Sequence, residues 1–285
     1  MRFLVTGAKG LLGTELVRWL RSKGEEVVGW DLPEHDITDV DRTINGMHRV
    51  GPDVVFHLAA WTDVDGCEED PGRAISVNTQ GTWGIALGST ELKTRMVYLS
   101  TDYVFDGRRS KPYDEREKPN PLSVYGRSKL TGEQAVMRSC GSYLIVRTSG
   151  LYGRHGRNFV DSVLAACRTK KEIEVVTDQT SSPTYAPDLC EPLFELARHA
   201  KPGVYHLTNS GQCSWFEFAR SIIEIAGLEC RVQPTTTARL GRPAPRPAFS
   251  VLENRNYKKK LGKTLRPWQE ALAEYLGAKH PGSES

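Results

Sequence analysis

No stretch of the 285 residues approaches the roughly 18 consecutive apolar positions that a membrane helix needs, so no membrane span is expected. Cysteine pairs at C-x-x-C spacing are missing too. The six cysteines, at 67, 140, 167, 190, 213 and 230, are scattered, and none joins a histidine at zinc spacing. They read as free, mostly buried thiols of a reducing cytoplasm, with no metal site expected. Charge of one sign is not in excess. The 38 Lys+Arg and 35 Asp+Glu leave +3, too even a balance for the long-range field that nucleic-acid binding requires. Repeats and low-complexity segments are lacking. With 39% hydrophobic and 26% charged residues, disordered and collagen-like chains are excluded. The start, Met1-Arg2-Phe3-Leu4-Val5, turns to glycine at Gly7, so no secretory h-region is expected. What remains is a cytoplasmic globular protein of one large or two small domains, long enough to bury its own core.

What is present is alternation. Short apolar runs at 2–6, 27–30, 53–58, 96–99 and 143–146 read as strands. Between them lie helical signals, with apolar residues at Leu12, Leu16, Trp19 and Leu20 ahead of Gly24, and a clear helix over 128–137. Unbroken apolar strands separated by helices predict an α/β fold with a doubly wound parallel sheet of Rossmann type. After about Gly150 the pattern loosens. Helices are expected near 158–169, 187–199, 214–227 and 267–276, strands near 173–176 and 204–207, and a loop over the proline- and arginine-rich 234–247. The expected division is a dinucleotide-binding domain over 1–150 with 186–208, and a smaller discontinuous substrate-binding lobe over 151–185 and 209–285.

Gly7, Gly10 and Gly13 form G-x-x-G-x-x-G between the first strand and first helix. Such a turn needs residues without Cβ, and the helix N-terminus offers amides to a pyrophosphate. The spacing is one residue longer than the common dinucleotide fingerprint, and a plain glycine-rich turn is the bland alternative. Asp31 follows the second strand, 18 positions after Gly13. An acid there hydrogen-bonds an adenosine ribose and repels a 2′-phosphate, which favours NADH over NADPH; Lys9 can offset part of that repulsion. A solvated turn aspartate is the alternative. Asp36, Ile37 and Thr38 follow, to hold an adenine edge or, through Asp36 or Thr38, to cap the next helix.

Tyr125 and Lys129 stand four apart and so share a helix face. A free tyrosine has a pKa of about 10, and a nearby ammonium favours its phenolate and lowers that value. The ammonium can also hold a nicotinamide ribose. Taken alone, two residues on a solvated face are the better explanation of the pair. Thr101 follows the fourth strand, at the end where ligands of such sheets bind, and can present a hydroxyl to a carbonyl beside Tyr125. His57 ends the third strand with small residues after it and reads as a satisfied core histidine.

Together these residues resemble the extended short-chain dehydrogenase/reductases, and within them the dTDP-4-dehydrorhamnose reductases. The resemblance is carried by residues 5–13, 57–65, 100–107, 119–129, 147–149, 158–160, 178–179, 183–184 and 242–247, almost the whole chain. It implies reduction at C4 of a nucleotide-linked 4-keto-6-deoxy sugar by NADH or NADPH, with Thr101, Tyr125 and Lys129 as the catalytic set. It also implies cofactor contacts from Gly7, Gly10, Leu11, Leu12, Gly13, Asp31, Asp36, Ile37, Ala59, Ala60, Trp61 and Thr62. Substrate contacts are implied for Thr101, Asp102, Gly150, Asn158 and Arg246, the last toward the substrate pyrophosphate because guanidinium suits phosphate. A solvated loop arginine is the alternative for Arg246. The resemblance further implies a homodimer, and in some relatives Mg²⁺ between subunits, for which no carboxylate cluster is readable in the sequence.

Two positions depart from the pattern. Leu11 stands where many relatives have glutamine or methionine, and Gly150 where they have tryptophan, which leaves the sugar open to a modified deoxysugar. A dehydratase is argued against because Tyr103, not glutamate, follows Thr101-Asp102. A 4-epimerase uses the same tyrosine and lysine. A non-catalytic regulatory subunit similar to the β subunit of methionine adenosyltransferase is the rival from another class.

Overall fold

Strand β1 (Arg2–Thr6) buries Phe3, Leu4 and Val5 completely, because a parallel strand with helices on both faces has no wet side. In the computed structural model, which describes residues 1–279, β1 sits inside a six-stranded sheet. Strand β2 (Glu26–Trp30) pairs with it on one side and β3 (Val54–His57) on the other. Then come β4 (Arg95–Thr101), β5 (Tyr143–Thr148) and, at the far edge, Gly203–His206. All pairings are parallel. The chain leaves β1 in one direction for β2 and crosses back for β3. That reversal opens a crevice beyond the carboxyl ends of β1 and β3, the usual ligand position in such sheets.

Helix α1 (Leu11–Ser22) lays Leu12, Leu16 and Leu20 on one face of the sheet, beside Leu189 and Leu193 of the helix Pro187–His199. Met47, Ile85 and Val136 cover the other face. The helix after β2, α2 (Val40–Val50), is capped by Asp39, whose carboxylate accepts from the Arg42 amide. Neither Asp36 nor Thr38 caps it, because they bond each other instead: Asp36 Oδ1 accepts from the Thr38 amide and hydroxyl at 2.9 and 2.8 Å.

A second apolar core gathers Tyr152, Phe218, Leu272 and Tyr275 between the helices Phe159–Thr169, Trp215–Ile225 and Trp268–Lys279. The expected loop over 234–247 is corrected at its start. Arg231–Thr235 is a strand, paired in parallel with Glu172–Val176, and Thr237–Leu240 is a short helix. Pro234 is tolerated there because both strands of a two-stranded sheet are edges. The six cysteines are all free, and five of them are buried.

Candidate active site

The crevice is built from glycine outward. Gly7 holds φ +70, and a Cβ there would lie 2.7 Å from the Ala59 nitrogen; a Cβ on Gly13 would overlap the Gly7 carbonyl oxygen. Gly10 is the N-cap of α1, and no side chain caps the helix. The result is a tight cradle with backbone amides at a helix start, the arrangement that accepts a diphosphate. At the end of β2, Asp31 accepts from the Lys9 amide at 2.7 Å and from the Leu32 amide at 2.8 Å. The Lys9 ammonium turns away to Glu34 at 2.7 Å, so it does not neutralise Asp31. His35 stacks on Trp30 with ring centroids 4.7 Å apart, beside Asp36. Ile37 is buried against Gly81.

These residues line one cleft of ≈ 600 Å³, together with Ala59, Ala60, Trp61, Thr62, Thr101, Asp102, Tyr125, Lys129 and Gly150. A second cavity of ≈ 380 Å³ continues from Thr101, Asp102, Tyr125 and Gly150 to Phe159, Trp215 and Ser250 of the smaller lobe. The loop 59–62 is held by Asn78, whose Oδ1 accepts from the Trp61 amide at 2.8 Å while its Nδ2 donates to the Trp61 carbonyl at 3.0 Å. Asn78 also donates to Ser128 Oγ and lies on a π-helical segment, Ser76–Gly81, of a kind often found at functional sites.

Tyr125 and Lys129 lie one turn apart on the helix Val124–Ser139, which starts at a Ser123 cap. Thr101 is the last residue of β4, two positions past the expected strand end, because pairing with β5 continues through Thr148. Its hydroxyl donates to Asp102 Oδ1 at 3.1 Å and accepts from the Tyr103 amide. Asp102 is buried and takes a further bond from Ser149 Oγ at 2.9 Å; burial raises its pKa to about 6, against the pull of its hydroxyl partners. Burial likewise holds the Tyr125 phenol well above its usual range, opposed by its hydrogen bond with Thr101. This differs from the expectation that Lys129 depresses it. The Lys129 ammonium instead donates to the Leu99 carbonyl at 2.8 Å and lies 4.2 Å from the centroid of the Tyr98 ring. Desolvation lowers Lys129 to about 7, and Glu133 opposes that. His57 is a core residue: its ring nitrogens meet Thr6 Oγ1 and Thr82 Oγ1 at 2.7 and 3.0 Å, and burial pushes its pKa down to about 3.

Two expected substrate contacts are placed otherwise. Asn158 does not line the cleft. It caps the Phe159–Thr169 helix through the Asp161 amide, and its Nδ2 donates to the Gly153 carbonyl and Asp161. Arg246 is held in a two-pronged ion pair with Asp65, at 3.0 and 2.9 Å. It borders a third cavity of ≈ 200 Å³ with Tyr103, Trp215 and Arg242, so its charge is already met before any ligand arrives. Gly150 takes φ +54, and Trp215 comes within 3.6 Å of where its Cβ would be. An aromatic wall thus reaches this spot from another element. Sequence reasoning missed Arg157 and Arg73, which line the large cleft. The only signal was charge near a glycine, in Gly156-Arg157 and Gly72-Arg73. Among the described residues no group of three or more His, Cys, Asp or Glu comes together to hold a metal, and no helix is long and apolar enough to cross a membrane.

The parallel sheet, its glycine cradle and the tyrosine and lysine one turn apart define the extended short-chain dehydrogenase/reductase class. Within that class the chain belongs to the RmlD substrate binding domain family, whose model matches residues 1–280. It is 42% identical over 275 residues to the spore coat polysaccharide biosynthesis protein SpsK of Bacillus subtilis, covering 96% of each chain. It is 37% identical to the dTDP-4-keto-6-deoxy-D-glucose reductase of Streptomyces niveus, again over 96% of each. The crystal structure of dTDP-4-dehydrorhamnose reductase from Bacillus anthracis in complex with NADP superposes with a TM-score of 0.93 at 37% identity, over 96% of this chain and 98% of that one.

Proposed function

We propose that this protein reduces the C4 ketone of a nucleotide-linked 4-keto-6-deoxy sugar, with dTDP-4-dehydro-L-rhamnose as substrate and dTDP-L-rhamnose as product. The observation that carries this reading is that Thr101, Tyr125 and Lys129 line the same cleft as the glycine cradle. Residues 1–150 with 186–208 hold the dinucleotide, and 151–185 with 209–285 hold the sugar nucleotide; residues 280–285 lie outside the described chain. Gly7, Gly10, Leu11, Leu12 and Gly13 take the pyrophosphate, Asp31, Asp36 and Ile37 the adenosine, and residues 59–62 the inner phosphates and ribose. When bound, a reduced nicotinamide supplies hydride to the ketone carbon.

The chain's own residues handle the oxygen. The Thr101 hydroxyl, whose proton goes to Asp102 in this structure, turns that proton to the oxygen. The Tyr125 phenol, kept neutral by burial, still carries its proton when negative charge develops, and an alkoxide is a far stronger base than a phenolate. Proton transfer is therefore downhill at the moment it is needed. Lys129 holds the nicotinamide ribose, and its charge reaches the phenolate only once the ammonium leaves the Leu99 carbonyl. Asp102 holds the Thr101 hydroxyl until the substrate oxygen takes its proton.

The cofactor is NADH or NADPH, with NADH favoured by the Asp31 carboxylate. Asp31→Ala is expected to raise the kcat/KM ratio of NADPH over NADH by about tenfold or more, since apposed like charges cost more than ~1.4 kcal/mol. An unchanged ratio in steady-state assays with both cofactors would remove Asp31 from the ribose. Arg157 lines the same cleft as the glycine loop and, although it belongs to the smaller lobe, is assigned to the cofactor pyrophosphate. Arg157→Ala is expected to raise KM for both cofactors by about tenfold to a hundredfold, the worth of a charged hydrogen bond. A loss confined to NADPH would move the arginine to the 2′-phosphate.

A second reading, reduction of a related deoxysugar, is favoured by Gly150. It leaves the sugar pocket walled by Trp215 and Phe159 of the smaller lobe, and a curated relative is named as a dTDP-4-keto-6-deoxy-D-glucose reductase. Competing the two keto sugars for the enzyme decides between them by kcat/KM.

A further inference from the structure

Behind Tyr125 and Lys129 lies a buried ion pair that the reaction just described does not use. Glu133 is fully buried and Arg147 is 3% exposed. Arg147 Nε donates to Glu133 Oε1 at 2.8 Å and its Nη2 to Oε2 at 2.7 Å; Ser100 Oγ adds a bond to Oε1 at 2.6 Å. The carboxylate therefore has no freedom to turn. Three elements meet in it: the long helix Val124–Ser139 gives Glu133, β4 gives Ser100 and β5 gives Arg147, with Ser100 and Arg147 paired in register. As a source of stability such a pair is poor, because desolvation consumes most of its Coulomb gain and apolar replacements often do as well. Its position says more. Glu133 stands one helical turn beyond Lys129, as Lys129 stands one turn beyond Tyr125, so all three share a face of the helix.

We propose that Glu133 is a positioning residue that favours the protonated form of the buried Lys129 side chain, while Arg147 and Ser100 hold the Glu133 carboxylate in place. The proposal rests on the reductase reading for its kinetic test but not for its physical one. Burial pulls Lys129 down to about 7, and Glu133 is the charge that resists this. The other ionisable groups around it supply no such help. His57 of β3 is buried and neutral at pH 7. Tyr98 of β4 and Tyr125 are held as neutral phenols by burial. Arg147 of β5 is itself a cation. Asp102 turns its oxygens to Thr101 and Ser149. Of the helix Val64–Glu69, Cys67 is a thiol raised to about 11 by burial, and Glu68 accepts from the Val124 amide at the far end of the long helix. Arg73 stacks on Trp61 at 4.5 Å.

The test is the pH profile of kcat/KM together with a direct titration of Lys129 by NMR, using isotope-labelled lysine and Lys129→Arg to assign the signal. Glu133→Gln keeps the shape and removes the charge. It is expected to move the basic limb, and the Lys129 titration, down by about one pH unit or more. Glu133→Asp keeps the charge and is expected to leave the limb in place even where kcat falls. Glu133→Gln combined with Arg147→Met removes both charges and so spares the fold an unpaired cation; the limb should move down by less than in the single variant. If Glu133→Gln fails to fold, this double variant carries the test. Glu133→Gln or the double variant with reduced kcat but an unmoved limb and titration would make Glu133 a structural brace and overturn the proposal. If the wild type turns over no keto sugar, the reductase reading fails. The NMR titration then decides the role of Glu133 alone, and an unmoved Lys129 overturns it.

Discussion

Tyr125→Phe is expected to lower kcat by about 10²–10⁴-fold, the usual contribution of a placed proton donor, with dinucleotide affinity retained. The ring is buried at 9% exposure in a small cluster with Cys67 and Ala74 and meets the Tyr103 ring edge-on at 5.9 Å. Phenylalanine keeps all of that packing and loses one oxygen. Thr101, the hydroxyl that bonds that oxygen, retains Asp102 as a partner. The fold and the glycine cradle are thus untouched, and the loss falls on the proton alone. Single-turnover rates with prebound NADPH measure it. A variant within threefold of wild type would mean that another group or water protonates the oxygen.

Gly13→Ala is expected to weaken dinucleotide binding by about a hundredfold and to cost about 1–3 kcal/mol of stability. A Cβ there would overlap the Gly7 carbonyl oxygen and come within 2.8 Å of the Gly7 carbonyl carbon and 2.9 Å of Ala8 Cα. These neighbours are backbone, so no side chain can rotate away, and the turn itself must open. Gly24→Ala is the control. Unlike Gly13 it sits at positive φ, and a Cβ there meets nothing within 4 Å. It should cost stability, about 1–2 kcal/mol for a left-handed residue, and leave cofactor affinity unchanged. Fluorescence titration with NADPH and thermal melting of both variants separate the two effects. Equal affinity for Gly13→Ala and wild type would show that the loop does not cradle the diphosphate.

The central sheet was legible because its strands are apolar on both faces and its helices carry a regular apolar stripe; Phe3 to Val5 and Leu12, Leu16 and Leu20 are local signals. Tyr125 and Lys129 were legible for the same reason, since a spacing of four within a helix is a statement about space. What lay beyond reach was long-range. Arg246 is claimed by Asp65, 181 residues away, and nothing near either residue announces the pair. Asn158 was expected at the substrate only through the family resemblance, and in the fold it caps a helix. The strand Arg231–Thr235 was hidden by Pro234, whose cost vanishes only because its one neighbour, Glu172–Val176, makes a two-stranded sheet. The charge state of Lys129 also depends on depth. Four-residue spacing pairs it with Tyr125, but only the fold shows how deeply Lys129 is buried, which lowers its pKa, with Glu133 on the same face opposing that.

The most direct measurement is transfer of deuterium from NADPH or NADH carrying deuterium at both C4 positions to dTDP-4-dehydro-L-rhamnose, read by NMR of the isolated sugar nucleotide. Deuterium at sugar C4, one per oxidised cofactor, with the signal lost in Tyr125→Phe on the same timescale, is the predicted result. Product without deuterium at C4, or cofactor left reduced while the sugar is unchanged, would contradict it.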